Sequence, residues 1–439
     1  MSSRLTPKGG TPRLCVFLLA IFLNNFAIAQ ENNWTFQRCV EVALDNNIEI
    51  KIRQIEVKRI QKSRNSAWNS LLPTVSFNGN QSYNFGSTID PSTNGRVSSN
   101  IQFDNFILNA NLNLLDFTAI AMAQKNKIDT EKAKANKEII ENEYKLQLLD
   151  SFYQALFTQE LLSIQQEQFT NAVYNLDRIS KEVTLGKKPQ SDLYDIQLSF
   201  AQEEKRILET DQLLYLQKTQ LFQLMNYVNS NIKQVALLAD SETWNTEISE
   251  EKTSPKIRFA TLDYESSLKE IKIIKLANMP VLSSFYNFSS FYFRPLNQPN
   301  AVVESFNNQL NANKNQQVGI QLSVPLFNGF RNSKKSISAT LQSEKLKLVI
   351  DQEQQKINHQ IALENLNKIN FNTLKSKITE TLSYAKLSFN TTQNKFLSGK
   401  IDAILLSSVK NQLLALEYDV LKNNLQMQYT DLKIKIISL

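Results

Sequence analysis

Residues Ala119–Leu185 read AIAMAQKNKIDTEKAKANKEIIENEYKLQLLDSFYQALFTQELLSIQQEQFTNAVYNLDRISKEVTL and contain neither glycine nor proline. A continuous helix of this length would extend roughly 100 Å, about three times the hydrocarbon core of a bilayer. Its apolar residues recur in steps of three and four, with Gln159, Gln166 and Ser180 between them. These apolar positions are Leu148, Phe152, Ala155, Leu162, Phe169, Val173, Leu176 and Val183. The pattern predicts a rod that packs on like helices along a narrow stripe; a coiled-coil spacer is the alternative.

The first 29 residues have the features of a secretory signal peptide. A cationic start is followed by an apolar run from Cys15 to Leu23, and Ala27-Ile28-Ala29 forms a cleavage signal. Cleavage there would remove three cationic residues and reduce the formal net charge from +7 to +4. So weak a positive charge on so long a chain does not indicate a nucleic-acid partner. No later stretch has the 18 or so consecutive apolar residues of a transmembrane helix, and no lipid anchor is expected.

Composition argues against an enzyme and gives no indication of a cofactor or a metal site. The chain has one histidine, His359, and its second cysteine, Cys39, would be alone after signal cleavage. That leaves too few imidazoles for a histidine-based metal site or a catalytic triad. Phosphate-binding loops, dinucleotide fingerprints and serine nucleophile elbows are absent from the sequence.

The rod is preceded by two segments with a period of two. Helix is expected from Trp34 to Leu72 with an interruption at Asn46-Asn47, and Pro73 ends it. Polar residues then alternate with largely apolar ones over about 74–85 and again over 101–114, on either side of a polar loop. The alternation predicts two strands of about membrane-spanning length. For one such hairpin by itself, the favoured interpretation is an ordinary water-facing hairpin.

The same order of elements occurs a second time. Strands are expected at about 281–293 and 317–326, and a second rod at 330–398. Pro280 follows Pro73 by 207 residues, and Gly399 follows Gly186 by 213. This near-constant offset indicates an internal duplication. The expected organisation is a signal peptide (1–29), a first repeat (30–229) with its rod at 119–185, a connector (230–256) and a second repeat (257–439).

Four strands are too few to close a barrel, for which about eight is the practical minimum. An open sheet in a membrane would leave backbone groups unpaired at a cost of several kcal/mol each. Other copies of the chain must therefore complete the sheet. Three copies would supply twelve strands and two copies would supply eight.

These residues resemble the outer-membrane efflux proteins of the TolC type, which are trimeric channel-tunnels. The resemblance spans Trp34 to about Ile437 and rests on ordered joints between helices and strands. The motifs are Ala43-Leu44 before Asn46-Asn47, Ser70-Leu71-Leu72-Pro73, Ala277-Asn278-Met279-Pro280 and Val324-Pro325-Leu326-Phe327-Asn328-Gly329. The fold class it implies is α+β, with duplicated units of long coiled-coil helices plus two transmembrane strands. As a homotrimer these would form a 12-stranded outer-membrane barrel continuous with an α-helical barrel in the periplasm of a Gram-negative bacterium.

The resemblance also implies partners and a mechanism. Substrate would be delivered by an inner-membrane efflux pump or ABC exporter, through a periplasmic adaptor (membrane fusion protein), and conducted passively past outer-membrane lipid. The implied adaptor contacts are the two hairpin tips, Leu185, Gly186, Lys187, Leu397, Gly399 and Lys400. A polar lumen would be lined by Ser76, Asn78, Asn80, Asn109, Asn111, Gln321 and Ser323. The sequence does not identify the substrate.

The second tip departs from the family pattern of acidic residues that narrow the tunnel. Only Asp402 remains there, so a hydrophobic constriction at Leu405 or Leu406 is as consistent with the sequence as an acidic one. Asp192 after the first tip does match the family.

A periplasmic structural coiled coil, or the adaptor itself, is the competing class of protein. An adaptor should have one hairpin between glycine-rich β domains, whereas this chain has two rods and nine glycines.

Overall fold

The computed structural model describes residues 33–64, 69, 72–89, 94–98, 100–228, 231–239, 254–296 and 302–438. The expected signal peptide and most of the expected connector lie outside these residues. The chain divides into two compact units. The first comprises residues 1–54, 136–255 and 354–439, and the second comprises residues 55–135 and 256–353.

The elements alternate between long helices and strands, as the duplication predicts. In chain order the helices are α1 (Phe36–Asn46), α2 (Ile48–Ser63), α3 (Phe117–Thr184), α4 (Gln190–Leu224), α5 (Pro255–Leu276), α6 (Phe306–Ala312), α7 (Arg331–Leu397) and α8 (Ala403–Ser438). The strands are β1 (Asn33–Thr35), β2 (Thr74–Asn84), β3 (Ser87–Ile89), β4 (Arg96–Ser98), β5 (Ile101–Leu115), β6 (Ala236–Leu238), β7 (Val281–Pro295) and β8 (Asn315–Ser323). None of the helices within the described ranges is long and apolar enough to cross a bilayer.

The first unit has an aromatic core beside a short parallel strand pair, β1 with β6. Trp34 of β1 is fully buried, with its ring centroid 5.0 Å from that of Phe222. The side-chain amide of Gln159 pairs with the backbone of Leu237, donating to its oxygen at 2.8 Å and accepting from its nitrogen at 3.0 Å. The side chain of Gln159 in α3 therefore makes the two hydrogen bonds to β6 that the backbone of a neighbouring strand would make.

Two polar side chains, the buried Lys218 and the half-buried Tyr429, tie further helices into this unit. Lys218 of α4 donates from Nζ to the carbonyl oxygen of Val235 at 2.5 Å, and burial lowers the pKa of Lys218 while the charge of Asp211 opposes that change. Tyr429 of α8 donates to Oδ1 of Asp150 at 2.5 Å. Burial, and next the hydrogen bond to Asp150, raise the pKa of Tyr429.

The second unit is built on an antiparallel sheet of four strands in the order β2-β5-β7-β8. Ser76 lies opposite Asn109, Asn109 opposite Asn287, and Asn287 opposite Gln317. Cross-strand partners share a face of a sheet. One face therefore carries the even-numbered residues of β2 and the odd-numbered residues of the other three strands.

Some expected boundaries shift in the structure. The last strand begins two residues early and ends at Ser323 rather than Leu326, since Pro325 cannot donate to a ladder. The loop after β2 contains the hairpin β3–β4, and the loop after β7 contains α6. Part of the expected connector forms β6. The end of the helix predicted to reach Leu72 falls among residues outside the described ranges.

The seam along α3 is confirmed in its first half and only in part in its second, where Leu176 and Val183 are partly buried. Leu148, Phe152 and Ala155 are fully buried, but Val173 is 48% exposed. Gln168, Ala172, Asn175 and Ile179 occupy the buried positions there. The buried positions still follow one another by three or four residues, but two of them carry polar side chains. Gln168 is one of these, and its side chain donates to Glu417 of α8 at 3.2 Å.

Candidate functional site

One face of the sheet, here called the polar face, collects the candidate lumen residues. It is formed by the even-numbered residues of β2 and the odd-numbered residues of β5, β7 and β8, up to the bulge after Asn113. All seven candidates, from three different strands, lie on it: Ser76, Asn78, Asn80, Asn109, Asn111, Gln321 and Ser323. Serine and asparagine side chains can hydrogen-bond to water or to a hydrated solute without adding charge.

The opposite face, here called the apolar face, is exposed in the single chain. Phe77 of β2 is 67% exposed and Val318 of β8 is 78% exposed. Leu108, Ala110, Tyr286, Phe288, Ile320 and Leu322 share this face. So continuous an apolar surface indicates contact with an apolar medium rather than with water.

The two faces change character at the end of the sheet formed by Asn84, Ile101 and Pro295, here called the hairpin end. There the polar face carries Phe103 and Phe291, whose ring centroids lie 5.6 Å apart. The apolar face carries the buried Asp104 and Ser290 at this level. Helix α6 covers them from the side, with Phe306 against Tyr292 at 5.2 Å and Ser290 donating to the carbonyl of Leu310 at 2.7 Å. Sequence reasoning missed this cover because the prolines and asparagines suggested a loop; the helical signal was the spacing of Val303, Phe306 and Leu310 by three and four residues.

A glycine permits one aromatic ring to lie flat on the polar face. A Cβ added at Gly319 would lie 2.7 Å from Cζ of Phe285, its cross-strand partner. Any side chain at this position would displace the ring. At Gly79, on the apolar face, the nearest atom to an added Cβ is Cδ1 of Phe106 at 3.4 Å, which is ordinary contact.

The two helical tips end in the same backbone motif. Gly186 has φ +69°, its N–H donates to Val183, and the N–H of Lys187 donates to Glu182. In the second repeat Gly399 has φ +72°, its N–H donates to Phe396, and Lys400 donates to Lys395. This is the Schellman motif, in which glycine adopts the left-handed conformation and the last carbonyls of the helix are satisfied. Leu185, Lys187, Leu397 and Lys400 are exposed beside these glycines.

A small apolar core lies just behind the tips. Ile179, Ile196, Phe396, Ala403 and Leu406 form it, from helices of both repeats. Phe396 is fully buried, with the guanidinium carbon of Arg178 at 4.9 Å from its ring centroid and Nζ of Lys188 at 5.2 Å. Sequence reasoning missed Phe396, Arg178 and Lys188; the available signal was that Phe396 ends a run of six polar residues, Asn390 to Lys395, just before the second tip.

The candidate constriction residues differ in their surroundings. Leu406 is 4% exposed in the tip core, so it presents no side-chain surface for a constriction. Leu405 is exposed, and Oδ1 of Asp402 accepts a hydrogen bond from its N–H at 2.8 Å. Asp402 therefore caps the first turn of α8. Asp192 lies in the first turn of α4 and pairs with Lys188 at 2.9 Å.

Above the tip core the interface between helices is polar. Lys410 of α8 and Glu203 of α4 form a buried ion pair at 2.7 Å, and Ser199 and Ser407 hydrogen-bond at 2.9 Å. A cavity of about 20 Å³ beside them is lined by Asn175, whose Oδ1 accepts no hydrogen bond from the described residues. This volume suits one water molecule. Within the described ranges no group of three or more His, Cys, Asp or Glu is placed to hold a metal ion.

Comparison with known proteins finds a family match over part of the chain and a shared fold over most of it. Residues 39–227 match the family model described as "Outer membrane efflux protein". No curated protein matches the chain in sequence. The fold is shared with VceC from Vibrio cholerae at 13% identity, with a TM-score of 0.75 over 92% of this chain and 96% of that one.

Two further solved structures agree with VceC. CusC shares the fold at 13% identity, with a TM-score of 0.74 over 92% of each chain. The MtrE channel of Neisseria gonorrhoeae, in its open state, shares it at 14% identity, with a TM-score of 0.71 over 92% of this chain and 88% of that one. Residues 39–227 thus match the outer membrane efflux protein family, as the TolC-type motifs implied, and the chain has the fold of solved outer-membrane channels.

Proposed function

We propose that the chain is the outer-membrane channel component of a tripartite efflux or type I secretion system. It conducts passively the substrate that an inner-membrane transporter delivers through a periplasmic adaptor. The observation that carries this proposal is the four-stranded sheet, with a polar face opposite an exposed apolar face. The family comprises channels rather than enzymes.

The sheet requires other copies to function in a membrane. Its outer strands, β2 and β8, each have only one neighbour within the sheet. In hydrocarbon every unpaired backbone group costs several kcal/mol, so membrane-spanning sheets are closed. Closure by three copies of four strands gives a homotrimer with a 12-stranded barrel, and the apolar faces then contact lipid.

The polar face supplies the conducting path. In the closed barrel Ser76, Asn78, Asn80, Asn109, Asn111, Gln321 and Ser323 line the lumen. These groups exchange hydrogen bonds with water and add no charge, so hydrated solutes pass without strong binding. The chemistry of the cargo is then decided by the transporter, which supplies the energy.

The tips carry the contacts with the adaptor. The exposed Leu185, Lys187, Leu397 and Lys400 flank Gly186 and Gly399, and the two tips have the same backbone hydrogen bonds. An adaptor can therefore meet two nearly equivalent surfaces on each copy. The constriction at the second tip consists of the exposed Asp402 and Leu405 rather than Leu406, which is buried.

The test starts with the native mass of the particle after envelope fractionation and extraction in detergent. A three-chain particle in the outer membrane that forms ion-conducting pores in planar bilayers is the expected result. A detergent-independent periplasmic monomer or dimer would overturn the channel proposal in favour of a structural coiled coil.

A further inference from the structure

The edge of β7 that faces away from β5 is covered by two different partners along its length. From Val281 to Ser289 it pairs with β8, whose first residue, Asn315, lies opposite Ser289. Beyond that point the side chain of Asn313 donates to the carbonyl of Phe291 at 2.9 Å. The amide of Gln309 then pairs with Phe293, accepting from its nitrogen and donating to its oxygen, both at 2.9 Å.

These two side-chain amides act as an edge cap. They occupy the backbone groups of β7 that a longer β8 would have taken, and Gln309 comes from α6. A capped edge cannot pair with another strand. The four-stranded sheet therefore keeps two open edges, the outer edge of β8 and the outer edge of β2.

The lengths of the two edge strands limit how they can pair. β2 has eleven residues and β8 has nine, so three registers pair every residue of β8. The two strands run antiparallel when the sheet is continued by a second copy in the same orientation, because the order is up, down, up, down. The middle register places Asn315 opposite Tyr83, which joins the polar face of one copy to the apolar face of the next. Since a shift of one residue reverses every side chain, this register is excluded.

The side chains distinguish the two registers that remain. With Asn315 opposite Asn84, Leu322 would face Phe77 and Ile320 would face Gly79, but Val318 would face Gln81 and Gln316 would face Tyr83. With Asn315 opposite Ser82, the apolar-face pairs are instead Leu322 with Val75, Ile320 with Phe77, Val318 with Gly79 and Gln316 with Gln81. Matched cross-strand pairs stabilise a sheet and mismatched ones do not.

We propose that β8 pairs antiparallel with β2 of a neighbouring copy, in the register that runs from Asn315 opposite Ser82 to Ser323 opposite Thr74. The edge cap on β7 takes the place of a longer β8, so the edge that β8 offers to a neighbouring copy begins at Asn315. This inference rests on the proposed function, because it specifies how the copies close the barrel.

Paired cysteines in the full-length protein in the outer membrane test the register, in a Cys39→Ala background. Gln317→Cys with Asn80→Cys and Leu322→Cys with Val75→Cys represent the proposed register on the two faces. Opposed pairs alternate between closer and wider spacing along an antiparallel ladder, so one of the two has the shorter separation. Mild oxidation should produce covalent dimers and trimers from at least one of them, at a rate at least tenfold above the controls.

Two control pairs share Gln317→Cys. Gln81→Cys is one residue out of register and faces the opposite side, and Ser82→Cys represents the alternative register. Directly opposed Cβ atoms are about 4.5–5.5 Å apart and diagonal ones about 7–8 Å, whereas a disulfide needs about 3.5–4.5 Å. Preferential cross-linking of the Ser82→Cys pair would overturn the register and leave the channel proposal intact.

The remaining outcomes separate the two proposals. A three-chain particle with no cross-link from any of the four pairs would overturn the β8–β2 pairing alone. Single chains with no cross-link would overturn the proposed function as well.

Discussion

The guanidinium carbon of Arg178 in α3 lies 4.9 Å from the ring centroid of Phe396 in α7. This contact joins the helical hairpins of the two repeats immediately behind their tips. Replacing Phe396 with Ala should destabilise the tip by about 3–5 kcal/mol, because it leaves a cavity and removes the cation–π contact. The rate of protease cleavage at the tips measures this loss. Leu397→Ala is the matched control: its exposed side chain should change stability by less than about 0.5 kcal/mol. Equal cleavage of the two variants would contradict the packing role of Phe396.

Adjacent residues of β5 should respond oppositely to a charge. Leu108 lies on the apolar face and Asn109 on the polar face. Leu108→Arg should reduce the amount of assembled barrel, since an arginine on a lipid-facing site costs about 2–4 kcal/mol at the bilayer midplane. Asn109→Arg should assemble normally and shift the channel towards anion selectivity. Reversal potentials in planar bilayers and the yield of native particle measure both effects. Normal assembly of Leu108→Arg together with failed assembly of Asn109→Arg would show that the two faces are assigned the wrong way round.

Gly319 and Gly79 form a second matched pair. Gly319→Ala should destabilise the sheet by about 1–3 kcal/mol, because the new methyl group overlaps the ring of Phe285. Gly79→Ala should be tolerated, since its nearest neighbour is 3.4 Å away. The temperature at which the folded species is lost in detergent compares them. Adding Phe285→Leu to Gly319→Ala should restore stability, and a lack of rescue would exclude the ring as the cause.

Asp402 can be a helix cap, a constriction residue or both, and two substitutions separate these roles. Asp402→Asn keeps an acceptor for the N–H of Leu405 but removes the charge, whereas Asp402→Ala removes both. Loss of the cap should cost about 1 kcal/mol in the Ala variant only. A negative constriction predicts that both variants lower the ratio of cation to anion permeability. An unchanged ratio in both would leave Asp402 with its capping role alone.

The hydrogen bond from Tyr429 to Asp150 should make stability fall at alkaline pH. The pKa of Tyr429 is raised above its ordinary value of 10.0 by burial and by Asp150. A pKa that is higher in the folded state gives stabilisation that is complete below the unfolded pKa and is lost as pH rises through the folded one. Tyr429→Phe should therefore be less stable than wild type by about 1–2 kcal/mol at pH 8.

That difference should shrink as the pH rises above 10, and thermal unfolding between pH 8 and pH 11 measures it. The exposed Tyr194→Phe should show no such change, because Tyr194 is 62% exposed. A constant difference between wild type and Tyr429→Phe across this range would contradict the assignment.

Periodic features of the fold could be predicted from the sequence. The rods expected at 119–185 and 330–398 are Phe117–Thr184 and Arg331–Leu397 in the structure. Glycine marks the last turn of both rods and the start of the second, whereas Asp116 caps the start of the first, and all of these residues act locally. The grouping of Ser76, Asn109 and Gln321 on one face also followed from the sequence, because a period of two fixes the face of every residue in a strand.

Features that depend on distant polar partners could not be predicted. Gln168 and Asn175 are buried in the seam of α3, where the sequence suggested that an apolar residue such as Val173 would lie. A polar side chain such as Gln168 suggests an exposed position, and only the nearby Glu417 explains why it is buried. The edge cap is a similar case, because Gln309 is an unremarkable residue of a polar loop until its amide meets the backbone of Phe293.

The pairing of β5 with β7 has a consequence for the order of events after export. Asn109 and Asn287 are partners although the whole of α3 and α4 separates them in the sequence. Long-range pairings form slowly, since loop-closure entropy is lost before any contact compensates for it, whereas helical hairpins form from near neighbours. The helical hairpins should therefore form while β5 and β7 are still apart. During that time the edges of these strands are unpaired. The sheet is therefore the last part of the fold to close, and the interval before it closes is set by the length of chain between β5 and β7.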